Sequence, residues 1–184
     1  MLVVVVFGEI ASGKSTVSRY IAEVTRCQML SFGALIREEC SRISVPPTRA
    51  SCQQIGYELF QRVGAAGIVR ALLQHAGGNP TDCFVIDGVR HVSVLNEIRV
   101  LFSPVFVIAV TARLEDRYKR YKIRGESEEA LPIEEFVRIS NHPIEAGIAA
   151  LFPEADVVID SGVSEEQMLL AVRIALESGD ILPR

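Results

Sequence analysis

The stretch Gly8-Glu9-Ile10-Ala11-Ser12-Gly13-Lys14-Ser15 has residue types and spacing suited to holding a polyanion. Glycines at this GxxxxGKS spacing let the backbone curl closely around phosphates, so that successive amides point at the negative charge. Lys14 is placed to reach the β- and γ-phosphates of a nucleotide, and the Ser15 hydroxyl is a suitable ligand for magnesium, which takes oxygen donors and retains water. Gly8, Ala11, Ser12, Gly13, Lys14, Ser15 and Thr16 form the expected ATP-contacting set, with Thr16 supporting the α-phosphate. The metal needs an acidic partner, and Asp87 ends the apolar run Phe84-Val85-Ile86 as in a Walker B element. Gly88 follows it, where motor ATPases and related hydrolases commonly place a water-activating glutamate, and no guanine-reading NKxD motif occurs. Both features favour delivery of a phosphoryl group to a bound acceptor over hydrolysis.

These residues need a strand before the loop and a helix after it. Leu2–Phe7 is a continuous β-branched run without alternation, the pattern of a parallel strand covered on both faces. Cys83–Ile86, Val105–Val110 and Asp156–Ile159 repeat the pattern, and Gln28–Ser31 is a shorter candidate. Helical spacing fills the intervals at Ser15–Val24, Ile55–Gln74 and Val92–Leu101, and Met168–Leu176 closes the chain, with Ser164 as its N-cap, Glu166 favouring its dipole and Gly179 ending it. Strands alternating with helices predict a three-layer α/β fold around a five-stranded parallel sheet. Ser41–Ser51, with Pro46 and Pro47, and the charge-dense Tyr118–Pro132 interrupt the alternation and are candidate flaps.

Composition narrows the function. The chain has 184 residues, 49% hydrophobic, enough for one domain with a substantial core. A net charge of −4 disfavours nucleic-acid polymers and anionic membranes as partners, while leaving room for a local basic cluster around a small phosphorylated ligand. No run approaches the ~20 apolar residues of a membrane span. Cys27, Cys40, Cys52 and Cys83 have neither metal-site nor disulfide-framework spacing and read as reduced thiols. The apolar opening Leu2–Phe7 lacks the basic flank of a signal peptide, and with no membrane span a cytoplasmic location is expected.

With GxxxxGKS in place, Asp87-Gly88-Val89-Arg90 resembles the DGxPR or DGxR element of nucleoside monophosphate kinase-like P-loop proteins. Ser31-Phe32-Gly33-Ala34-Leu35-Ile36-Arg37 is similar to the segment of adenylate kinases in which an arginine holds the acceptor phosphate. Gln53-Gln54-Ile55-Gly56-Tyr57-Glu58-Leu59, with Arg62, is similar to a stretch of deoxynucleoside monophosphate kinase-like proteins, and the overall order resembles dephospho-CoA kinase-related proteins. Val89-Arg90 lacks the proline of DGxPR, and Tyr57 stands where the deoxynucleotide pattern has threonine.

The resemblance implies a single domain over 1–184, with an acceptor-binding helical region at 32–80 and a short lid at 117–132. It implies Arg37, Gln54, Arg62, Asp87 and Arg90 on the acceptor. Arg117 and Gly162 join the donor-binding set, Lys14, Asp87, Arg120 and Arg124 assist transfer, and Ser15 and Asp87 hold magnesium. Arg138 is a further candidate. The expected activity is an ATP- and magnesium-dependent kinase acting on a nucleoside or deoxynucleoside monophosphate, as a monomer or small homo-oligomer. Two alternatives stay open: a dephospho-CoA kinase-like enzyme acting on a hydroxyl, with Asp87 as base, and a nucleotide-dependent ATPase switch or interaction module.

Overall fold

Val3, Val4, Val5 and Val6 are wholly buried, which requires a strand with neighbours on both sides and cover on both faces. The structure, a computed structural model, describes residues 2–77, 83–123 and 131–182. In it β1 (Leu2–Gly8) is the central strand of a five-stranded sheet whose other members are β2 (Gln28–Ser31), β3 (Cys83–Asp87), β4 (Val105–Thr111) and β5 (Val157–Asp160). The order is β2-β3-β1-β4-β5 and every pairing is parallel. Odd residues Val3, Val5 and Phe7 face a layer containing α2 (Phe32–Arg42), α3 (Arg49–His75) and α4 (Val92–Leu101). Even residues Val4 and Val6 face α1 (Lys14–Thr25) and α8 (Glu165–Ser178). Each such buried valine stabilises the sheet by about 1.5 kcal/mol or more.

All the expected strands and helices occur close to their expected bounds, and the differences have local causes. α3 begins at Arg49, ahead of the expected Ile55, because the Thr48 side chain accepts the Ser51 amide at 3.2 Å and starts the helix directly after the two prolines. The run bends at Gly64, where φ is 66°. α8 starts at Glu165 through a reciprocal cap: Ser164 Oγ accepts the Gln167 amide, and the Ser164 amide donates to Gln167 Oε1. Between β4 and β5 run α5 (Leu114–Ile123), α6 (Ile133–Ser140), α7 (Pro143–Ala146) and a 3-10 turn, Ala149–Glu154. Arg124 lies outside the described residues, as do all of 124–130 of the segment expected to form a lid, whereas 117–123 of that segment belong to α5.

The reading of four reduced thiols needs correction. Cys27 and Cys83 are joined by a disulfide, with their Cα atoms 4.9 Å apart. They stand just before and at the start of the paired strands β2 and β3, a neighbourhood that a sequence separation of 56 conceals. Cys40 and Cys52 remain thiols, 3.7 Å apart between α2 and α3. Burial and the Cys40 contact push the Cys52 thiol up to about 11, so it is a poor nucleophile at neutral pH. No helix among the described residues is long and apolar enough to cross a membrane.

Candidate functional site

Parallel strands bring their carboxyl ends to one edge, and the loop after β1 and the end of β3 meet there. Val6 pairs with Asp87, so strand register alone sets the Asp87 carboxylate beside the loop that follows β1. The loop is tightly built. Gly13 has φ 92° and Ala11 φ 59°, left-handed conformations that turn the chain from strand into helix within a few residues. Ser12 is fully buried, and its amide donates to the Glu9 carbonyl at 3.2 Å. The first turn of α1 then presents amides without intrahelical acceptors toward the space where phosphates would lie.

Lys14 donates to the Glu9 carbonyl at 3.4 Å and is surrounded by charge. Burial pulls its ammonium down to about 8, and Arg90 and Arg49 push the same way, while Asp87 and Glu145 partly oppose them. Asp87 is 6% exposed, and its Oδ1 is buried without a hydrogen-bond partner. Burial raises its carboxyl above the usual range against the counter-effect of Lys14, a hydrogen bond from Ser18, and the charges of Arg90 and Arg37.

Two cavities flank this centre. One, of about 310 Å³, lies on the β2–β3 side between α2, α3 and the loop after β3. Its floor is apolar, including Phe32, Ile36, Phe60 and Val94, and its charged lining residues are Arg37, Arg49 and Arg90. Gln53, Gly56 and His91 also line it, with Phe60 and His91 stacked at 4.3 Å between ring centroids. The other cavity, of about 330 Å³, lies at the start of α1 and the loop after β5, bounded by Gly13, Thr16, Arg120, Ser161, Val163 and Met168. Both volumes are of ligand size.

The expected site residues divide accordingly. Gly8, Ala11, Ser12, Gly13, Lys14, Ser15, Thr16 and Asp87 gather at the strand ends. Arg37 and Arg90 reach the first cavity. Arg120 borders the second, where its Nη1 donates to Ser161 Oγ at 2.8 Å and its Nη2 to the Ser161 carbonyl. Gly162 is outside that cavity's lining; its amide donates to Asp160 Oδ1, and its neighbours Ser161 and Val163 form the wall.

Arg117 is buried under the loop, paired with Glu9 at 2.9 Å and packed on the Phe136 ring, so it braces the loop from below. Gln54 and Arg62 are exposed on α3 and are not brought to either cavity. Gln54 bonds to Glu58, and one step along the helix, about 100° round, turns the adjacent Gln53 inward. Arg138 is exposed and paired with Glu135.

Three residues enter the site that the sequence reading did not include: Arg49, Gln53 and Glu145. Glu145 is 6% exposed and accepts from Arg49 Nη2 at 2.9 Å, from Gln53 Nε2 at 3.1 Å and from Arg90 Nη1. Burial acts to raise its carboxyl, but Arg90, Arg49, Gln53 and Lys14 outweigh it and hold the group below the usual range. The adjacent Gln-Gln pair was a signal, readable only with the correct helix face.

No family model matches the chain. It is 29% identical to a UPF0200 protein of Aeropyrum pernix over 184 residues, covering 97% of this chain and 96% of that one. Another UPF0200 protein, from Methanoculleus marisnigri, is 27% identical over 96% of both chains. Among solved structures, TT1252 from Thermus thermophilus superposes with a TM-score of 0.65 at 17% identity, over 96% of this chain and 97% of that one. Shikimate kinase from Acinetobacter baumannii, solved with shikimate, gives 0.62 at 15% identity, over 96% and 91%. The chain shares its three-layer α/β fold with these structures.

Proposed function

We propose that the chain is an ATP- and magnesium-dependent kinase that transfers the γ-phosphoryl group to a phosphate of a nucleotide-like acceptor, in the first place a nucleoside or deoxynucleoside monophosphate. The observation that carries this reading is the first cavity. Its charged lining is Arg37, Arg49 and Arg90, with no carboxylate among the described lining residues. Transfer between two polyanions calls for cations on both sides and needs no dedicated base, because a phosphate acceptor is already ionised.

In this reading the loop amides and Lys14 hold the donor's β- and γ-phosphates, and the second cavity takes its base. Arg37, Arg49 and Arg90 hold the acceptor across the strand ends from the donor. Arg120, bordering the donor cavity, and Arg124 add charge as the reaction proceeds. Magnesium fits the residues present: Asp87 Oδ1 is an orphaned buried oxygen beside the loop. Together with Ser15 it offers the sparse oxygen set that this ion combines with phosphates and water. When bound, the ion neutralises charge on the phosphate oxygens.

A hydroxyl-directed kinase is the second reading, favoured by the raised carboxyl of Asp87, a property of a general base. The test measures ADP formation from ATP and magnesium with each common ribo- and deoxyribonucleoside monophosphate, and with dephospho-CoA, added singly. Stimulation by a monophosphate, with its diphosphate recovered, supports the first reading, and stimulation only by dephospho-CoA or another alcohol supports the second. ATP consumption independent of every acceptor would sink both and favour a switch.

A pH prediction follows from Lys14. The free enzyme needs its ammonium to capture phosphates, so kcat/KM for ATP should fall as pH rises through about 8, approaching tenfold per unit. Bound phosphates raise the group again, so kcat at saturating ATP should stay flatter over the same range. A kcat/KM profile without a break between pH 7 and 9.5 would refute the assignment.

A further inference from the structure

Glu145 belongs to no phosphate-binding motif, yet more of the site's polar side chains converge on it than on any other carboxylate described above. It sits on α7, a single turn whose first residue is Pro143 and whose start is fixed by His142 Nδ1 accepting the Ile144 amide. Its side chain is 3% exposed, whereas those of Arg49 and Arg90 are each 23% exposed and line the acceptor cavity. Gln53 ties the arrangement to the end of α6, donating to the Ile139 carbonyl at 3.0 Å as well as to Glu145.

Two guanidinium groups from different elements, α3 and the loop after β3, thus share one carboxylate oxygen. Without it, two like charges in a half-buried pocket would repel and separate. Both arginines line the same cavity, so the shared oxygen holds two cations facing one space. The local charge is informative as well. Lys14, Arg37, Arg49 and Arg90 stand against Asp87 and Glu145, a formal excess of two positive charges. A phosphate monoester carries close to two negative charges at neutral pH.

We propose that Glu145 is a positioning residue that holds Arg49 and Arg90 as a preformed clamp for the dianionic phosphate of the acceptor. It touches neither reactant and acts through the two arginines. The inference rests on the reading of the acceptor as a phosphate compound, and the experiment separates the two.

The donor site is first filled with a non-hydrolysable ATP analogue and magnesium, so that added phosphate cannot report on the phosphate-binding loop. Inorganic phosphate is then titrated calorimetrically into wild type, Glu145→Gln, Glu145→Asp, Arg49→Ala and the double variant Arg49→Ala/Glu145→Gln. Thermal melting confirms that each is folded. Wild type should bind phosphate, and Glu145→Gln should bind it about tenfold or more weakly, because two charges are left without their partner. Glu145→Asp keeps the charge at a shorter reach and should fall between them, which leaves the test intact if Glu145→Gln fails to fold. Arg49→Ala should also weaken binding, and adding Glu145→Gln should cost clearly less than it costs wild type, since one of the two arginines that Glu145 holds is already gone.

With an active acceptor, Glu145→Gln should raise the acceptor KM by a similar factor and leave the ATP KM within about twofold. Wild-type phosphate binding that survives Glu145→Gln unchanged, or effects of the two substitutions that multiply, would overturn the role of Glu145 and leave the phosphate-acceptor reading standing. A wild type that binds no phosphate would overturn both.

Discussion

Replacing Lys14 with methionine is expected to lower kcat for phosphoryl transfer on the order of a thousandfold while the ligand-free protein becomes no less stable. The two halves of this expectation have one cause. Lys14 sits at the centre of a site that has more cations than anions, and burial brings its ammonium down to about 8 from an ordinary 10.5. A lysine lowered in this way costs stability whenever it is charged. The cost is present below pH 8 and is relieved as pH rises from 8 toward 10.5. Methionine matches much of the side-chain length without the charge, so at pH 7 the melting temperature of the empty protein should hold or rise. Stabilisation by ATP and magnesium should be lost. Steady-state kinetics and thermal melts with and without nucleotide check both halves. A Lys14→Met protein that melts well below wild type would mean that the lysine supports the loop structurally, and retained turnover would remove it from the donor site.

What could be read in advance was governed by the range of the interactions involved. Strands announce themselves locally: the run Val3–Val6 has no polar residue to lose by burial, and its wholly buried state follows. The loop from Gly8 to Ser15 is equally local, because its glycine and lysine spacing lies within eight consecutive residues. The cavity between α2, α3 and the loop after β3 depends on packing between distant elements. Arg49 and Glu145 meet across 96 residues, and neither belongs to a motif. Gln53 and Gln54 differ in role only through helix phase, which the placement of the α3 N-terminus at Thr48 decides. Arg117, expected in the donor-binding set, is instead buried beneath the loop. Its burial depends on Glu9 and Phe136, which come from different parts of the chain. Cys27 and Cys83 likewise become neighbours only when β2 pairs with β3.

Gly8→Ala tests the junction at which strand and site depend on each other, and its expected effect on folding is large. A Cβ at Gly8 would lie 2.2 Å from the Val110 carbonyl oxygen and 2.7 Å from Ser12 Oγ. Ser12 is buried in the loop, and the carbonyl belongs to the adjacent strand, where Gly8 and Val110 are register partners, so neither can rotate away as a surface side chain would. Relief requires β1 to move from β4 or the loop to change course. The first loses sheet pairing, and the second displaces the amides that would hold phosphate in the proposed function. A loss of about 3 kcal/mol or more is expected, appearing as a urea midpoint lower by roughly 1 M or more, together with loss of ATP binding in whatever fraction folds. Gly56→Ala is the matched control. Its Cβ would meet Ile36 at 3.7 Å, an ordinary contact inside a helix, and stability there should be unchanged or higher by up to about 1 kcal/mol. If Gly8→Ala instead unfolds at the wild-type midpoint, the close approach of β1 to β4 at the start of the loop is not a feature of the protein in solution, and the loop geometry built on it fails as well.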